Sequence, residues 1–225
     1  MKIIIAGGDR SGQNLMNFFQ QHKEYDITLI ESCPETCEWI SETYPEVKIV
    51  WGDATYPSTL EEASVKKADV FIAVTSSDQS NILAAKAAKK LGLEKVIAKV
   101  TDPNYYELAE LMEFDYILEP AEALSAEIIT RLQGVDFVKL VQNLHLDYEF
   151  NVIKTEDKPD LIGKDVRDFD DHFESMVYPV FVIRDGNYMM ANEVEEFISV
   201  DEIIYLNKAE APHRKSTKLM NFMGE

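Results

Sequence analysis

The chain has 225 residues, enough to bury a sizeable core in one large domain or two small ones. Hydrophobic residues make up 46% and aromatics 10%, the composition of a globular protein, while 41 acidic against 22 basic residues leave a net charge of -19. That charge repels phosphodiester backbones and anionic lipid surfaces, which argues against nucleic acid as a partner and against direct adsorption to a membrane.

The first 135 residues alternate short apolar runs with stretches of helical spacing. Lys2–Ala6 reads as a first strand; it is too short for the apolar core of a secretory leader. Gly12–His22 has helical spacing, and Asp26–Glu31 and Val47–Trp51 read as the next strands. Ala68–Val74, the helical stretch Gln79–Leu91, Lys95–Val100 and Asp115–Leu118 continue the alternation. Leu124–Leu132 reads as a helix stopped by Gly134. This pattern predicts βαβ units in a Rossmann-type, doubly wound parallel sheet.

Residues 136–207 change texture. Val138–Val141, Val152–Lys154, Val177–Ile183 and Ile203–Leu206 read as strands, and Arg184-Asp185-Gly186-Asn187 is a hairpin turn signal. The expectation is a small α+β domain, followed by a tail over residues 208–225. Net charge is -10 over residues 1–135, -11 over 136–207 and +2 in the tail. In the tail, Arg214, Lys215 and Lys218 interleave with Leu219, Met220, Phe222 and Met223, the pattern of a basic amphipathic helix. No run reaches the ~18 apolar residues of a membrane span. Cys33 and Cys37 are too few for a disulfide framework. A cytoplasmic protein that is not membrane-embedded is expected.

Residues Gly7 to Gly12 sit at the first strand–helix junction, where a dinucleotide fold carries Gly-x-Gly-x-x-Gly and rests a pyrophosphate on the helix amino terminus. Gly7 and Gly12 hold the first and third glycine positions, with Ser11 before the last. The middle position is Asp9, whose side chain obstructs close approach and sets a negative charge beside a diphosphate. Arg10, in the same loop, offers a compensating cation. Glu31 ends the second strand where an acidic residue accepts hydrogen bonds from ribose hydroxyls. Residues alone leave two readings open: a nucleotide site, or a retained fold with an emptied site.

Several motifs then occur in order: the Gly7–Gly12 loop, Gly52-Asp53-Ala54-Thr55, and Ala68-Asp69 leading into Ile72-Ala73-Val74-Thr75. They continue with Asp78 and Asn81, Ala98-Lys99-Val100 with Pro103, and Asp115-Tyr116-Ile117-Leu118-Glu119-Pro120. Leu161-Ile162-Gly163-Lys164 and the Arg184-Asp185-Gly186 hairpin follow. On these residues the chain resembles the RCK (regulator of conductance of potassium) domain proteins of Trk and Ktr-type potassium uptake systems. The resemblance covers residues 1 to about 207. It implies a Rossmann lobe, a crossover helix at Leu124–Leu132 and a small carboxy-terminal RCK domain. It implies a cytoplasmic gating subunit rather than an enzyme, one that dimerises, builds an octameric ring and meets a membrane potassium transporter or channel at the inner face. NAD(H) or ATP/ADP is the implied ligand. Asp53 and Ala54 would border the adenine, Thr75 the ribose, and Lys99 and Arg10 the phosphates. Pro120-Ala121 departs from the Pro-Glu of relatives, so no metal role is implied there.

Other motifs are weaker. Tyr44 and Lys48 match a dehydrogenase Tyr-x-x-x-Lys pair, but Pro45 argues against the single helical face that pair needs. No acid–base group for an NAD(P)-dependent oxidoreductase, the alternative enzyme reading, is evident. A scaffold subunit with a degenerate nucleotide site is the third reading. His22, His145, His172 and His213 are scattered, and Asp165, Asp168, Asp170, Asp171 and Glu174 lack the alternating ligands of a calcium loop, which favours a solvated acidic face.

Overall fold

In the computed structural model the described residues are all except 23, 113, 115, 142–147, 174–175 and 209–225. The chain divides into two compact units, Met1–Ala126 and Glu127–Glu225.

The first unit is built on six strands: β1 (Lys2–Ala6), β2 (Asp26–Glu31), β3 (Lys48–Trp51), β4 (Val70–Ala73), β5 (Lys95–Lys99) and β6 (Tyr116–Leu118). They pair in the order β3-β2-β1-β4-β5-β6, every pair parallel. Continuous apolar runs make this possible because both sheet faces are covered. In β1, Ile4 and Ala6 join a core cluster with Leu60, Ala84, Ala85 and Ala88, whereas Ile3 and Ile5 join Met16, Leu29 and Ile40 on the other side. The period-two alternation of one strand therefore feeds two cores. The doubly wound sheet expected from the sequence is present.

The helices are α1 (Arg10–Phe19), α2 (Pro34–Thr43), α3 (Pro57–Glu62), α4 (Asp78–Lys90), α5 (Pro103–Glu110) and α6 (Pro120–Leu132). Four of them begin at a proline, whose missing N–H and fixed φ suit the first helical position. In α4 the small residues Ala84, Ala85 and Ala88 are fully buried and let the helix approach the sheet closely. Strand order reverses between β1 and β4, and this switch point opens a crevice at the carboxyl ends of the strands.

In the second unit, β7 (Tyr148–Lys154), β8 (Val177–Arg184), β9 (Asn187–Met190) and β10 (Glu202–Lys208) form an antiparallel sheet ordered β7-β10-β8-β9. Leu161, Phe169, Val182, Phe197 and Ile203 fill its core. Asp185 and Gly186 turn the β8–β9 hairpin with φ of 52° and 76°, as the Asp-Gly signal predicts. One expected element is corrected: Val138–Val141 is helical, not a strand, within a helix over residues 137–141. Its start is fixed by Asp136, whose carboxylate accepts the Lys139 N–H at 3.0 Å in the manner of a helix cap. The predicted tail helix, His145, His213 and Glu174 lie outside the described residues.

Candidate functional site

A cleft of about 660 Å³ lies at the switch point and is lined by residues from the ends of β1, β2, β3 and β4. Of the site residues expected from the sequence, Gly7, Asp9, Glu31, Asp53, Ala54 and Thr75 line it, whereas Arg10, Ser11, Gly12 and Lys99 do not.

The loop after β1 is set by close approaches. Gly7 has φ +107°, and a Cβ there would lie 2.8 Å from the Thr75 backbone; a Cβ on Gly12 would lie 2.0 Å from the Gly7 carbonyl oxygen. Both glycines are thus required by packing before any ligand is considered. Asp9 is the N-cap of α1: its Oδ1 accepts from Ser11 N at 3.0 Å and Gly12 N at 3.4 Å. Its Oδ2 lies 3.8 Å from Nζ of Lys99, a largely buried side chain at the end of β5. The residue that departs from the glycine motif therefore engages the helix amino terminus and the cation behind it. Arg10 is exposed and forms no ion pair among the described residues.

Glu31 is equally committed. Its Oε2 accepts from Gly8 N at 2.6 Å and its Oε1 from Ser32 N and Cys33 N, each at 2.8 Å. The Ser32 hydroxyl adds a longer contact to Oε1 at 3.5 Å, so Oε2, with one of its two lone pairs used, is the oxygen left to accept from a donor in the cleft. Gly52 donates its N–H to the Glu31 carbonyl at 2.9 Å, and a Cβ on it would meet Thr59. Asp53 Oδ1 accepts from the N–H and hydroxyl of Thr55 at 2.9 and 2.8 Å, which closes the Gly-Asp-Ala-Thr turn and seats the buried Ala54.

The Ala-Val-Thr-x-x-Asp-x-x-Asn run forms a clasp. Asn81 is fully buried; its Oδ1 accepts from Thr75 N at 2.8 Å and from Thr75 Oγ1 at 2.7 Å. Its Nδ2 donates to Lys99 O at 2.9 Å and Thr75 O at 3.2 Å. Asp78 Oδ2 accepts from Thr101 N and Asp102 N at 2.9 and 2.8 Å. Together these join the β4–α4 and β5–α5 loops at the cleft floor, with the Thr75 hydroxyl turned toward Asn81.

Sequence reasoning missed several lining residues, among them Gly8, Glu35, Thr36 and Trp39. The signal lay in α2, which starts three residues after Glu31 and carries its first turns past the same opening. Trp39 forms part of the wall, and Trp51 donates Nε1–H to the carbonyl of the lining residue Ser32 at 3.0 Å. The Glu35 carboxyl is held below its ordinary range by the Cys33 thiol 3.1 Å away and by a backbone N–H. Burial, with Glu31 and Cys33 nearby, pushes the Cys37 thiol up.

The lining includes four carboxylates, Asp9, Glu31, Glu35 and Asp53, and no Lys or Arg. Ile30, Ala54 and Trp39 supply apolar surface, and Glu31 and Asp53 supply acceptors. This set fits an adenine-ribose moiety, whose hydroxyl and amino groups donate. The Ser11 and Gly12 N–H groups and Lys99, on which a diphosphate would draw, are engaged by Asp9. Tyr44 is 4% exposed at the end of α2 and Lys48 begins β3, so they share no helical face. Among the described residues, no group of three or more His, Cys, Asp or Glu is placed to hold a metal ion.

A family model described as the TrkA-N domain matches residues 3–120. The chain is 27% identical over 139 residues to the Trk system potassium uptake protein TrkA of Halomonas elongata, covering 62% of this chain and 30% of that protein. It is 30% identical over 143 residues to the Trk system potassium uptake protein TrkA homolog of Methanothermobacter thermautotrophicus, covering 62% of this chain and 65% of that one. The chain thus matches from about a third to just under two thirds of the length of these relatives. Among solved structures, the Kef carboxy-terminal domain of Shewanella denitrificans in an AMP-bound form shares the fold, with 20% identity and a TM-score of 0.50 over 64% of this chain and 91% of that one.

Proposed function

The chain belongs to the TrkA-N domain family, and from that premise we propose that it is a regulatory subunit of a potassium transporter or channel which senses an adenine nucleotide and performs no chemistry itself. The observation that carries this reading is the switch-point cleft, where Ala54, Asp53, Glu31 and Gly7 surround a space suited to adenine and ribose. The relatives named for potassium uptake support the transport role and favour a regulatory subunit over an oxidoreductase. Work is transmitted by differential affinity: a ligand shifts a two-state ring only as far as it binds one state better. Coupling of about 1–3 kcal/mol is the usual scale of such devices. The subunit dimerises and assembles as a ring at the cytoplasmic face of its membrane partner; no described helix is long and apolar enough to cross the membrane itself.

Calorimetric titration of the 225-residue chain with ATP, ADP, AMP, NAD+ and NADH tests the reading. Saturable binding of an adenine nucleotide without turnover is expected. Oxidation of NADH would establish the oxidoreductase instead, and no binding of any nucleotide would leave a scaffold subunit.

A further inference from the structure

We propose that Asp9 is a built-in substitute for a ligand phosphate, so that the cleft takes an adenine nucleoside or its monophosphate and rejects diphosphates and dinucleotides. The inference rests on the nucleotide reading above and deepens it.

A diphosphate bound in a Rossmann crevice draws on the free N–H groups at the first helix terminus and on nearby cations. Here one carboxylate uses both. Oδ1 of Asp9 takes the Ser11 and Gly12 N–H groups, and Oδ2 faces Lys99 Nζ at 3.8 Å. To seat a pyrophosphate, the Asp9 side chain must leave, which strips the helix of its cap and returns an anion to a space lined by three further carboxylates. The lining holds no Lys or Arg, so that second anion must share Lys99 with the displaced Asp9 or draw in the exposed Arg10 from the same loop. The adenosine end faces no such opposition, because Ile30, Ala54 and Trp39 are apolar, and Glu31 and Asp53 accept the hydrogen bonds that hydroxyl and amino groups offer. Extending the monophosphate to a diphosphate therefore lowers affinity rather than raising it.

Titration of the wild-type chain, Asp9→Asn and Asp9→Gly with adenosine, AMP, ADP and NAD+ tests this. Asparagine keeps the cap through its amide oxygen and removes only the charge. Wild type should bind AMP at least about tenfold more tightly than ADP or NAD+, the scale of one charged hydrogen-bonding group. Asp9→Asn should reduce that ratio, and Asp9→Gly should abolish it by admitting ADP and NAD+. Far-ultraviolet circular dichroism of both variants must match wild type for the comparison to count; if Asp9→Asn fails to fold, Asp9→Gly remains the discriminating variant. Wild type binding ADP or NAD+ as tightly as AMP overturns the inference, as does a preference unchanged in the folded variants. Binding of none of the four ligands by any of the proteins overturns the nucleotide reading itself, an outcome distinct from lost selectivity.

Discussion

Replacing Asn81 with leucine is the sharpest test of what holds the cleft floor together. The side chain is fully buried and makes four hydrogen bonds, three to Thr75 and one to the Lys99 carbonyl. Leucine has similar volume but offers none of these, so Thr75 N–H and Lys99 C=O lose their Asn81 partner inside the protein. A buried polar group left unsatisfied costs about 1–3 kcal/mol, and the added apolar surface returns about 1 kcal/mol. With two groups stranded the net loss should be about 1–5 kcal/mol, read as a lower urea midpoint with unchanged slope. A companion Asn81→Asp variant keeps the acceptor but sets a carboxylate against the Lys99 and Thr75 carbonyls. Burial raises that carboxyl's pKa in the folded state, the native state then holds the extra proton, and stability falls as pH rises through the window. Asn81→Asp should therefore be more stable at about pH 5 than at about pH 8. A loss below about 1 kcal/mol for Asn81→Leu, with a pH-independent Asn81→Asp, would refute the clasp as the organising contact.

Three further outcomes follow from the same geometry. In the second unit, Arg184 Nε and Nη2 each lie 2.8 Å from a carboxylate oxygen of Asp201, whose side chain is fully buried and also accepts Ile198 N–H. Asp201→Ala should cost about 3 kcal/mol by leaving the guanidinium only its Glu196 carbonyl contact and taking the Asp201 partner from the Ile198 N–H, measured by thermal denaturation; a cost near zero would show the pair to be dispensable. Gly7→Ala should cost about 2 kcal/mol or more even without ligand, because its Cβ meets the Thr75 backbone at φ +107°, whereas Gly134→Ala, with φ +84° and open space, should cost about 1 kcal/mol; equal urea midpoints would contradict this. The Asp165 carboxyl is lowered to about 2 by hydrogen bonds from the Arg167 side chain and N–H, so its stabilising effect is present above the ordinary carboxylate range and lost as pH falls through about 2. Carboxyl-carbon NMR titration should find that midpoint, and Arg167→Gln should move it back toward the ordinary range.

The sheet was legible in the sequence because its strands are buried on both faces and read as unbroken apolar runs between helical stretches. Ile3–Ile5 and Val70–Ala73 needed no tertiary information to be placed, although β4 starts two residues later and ends one residue earlier than the apolar run Ala68–Val74 suggests. The helix at 137–141 was not legible, since Val138, Leu140 and Val141 favour a strand by composition and only the Asp136 cap, seen in three dimensions, decides otherwise. The cleft was partly legible. Gly7, Glu31 and Asp53 were marked by motif, but the motif carries no information on where Asp9 points. Its capping of Ser11 and Gly12 and its approach to Lys99 bring together residues 90 positions apart. Trp39 was missed for the related reason that a helix following the second strand has no signature for which side chain reaches the opening.

The positions of the two tryptophans have a spectroscopic consequence. The chain has only Trp39 and Trp51, one in the cleft wall and the other bonded to Ser32 on its rim. Selectively excited indole emission therefore comes from the first unit alone and reports the mouth of the crevice. An emission-detected unfolding curve traces the first unit alone, so any gap between it and a backbone-detected curve measures how independently the second unit melts.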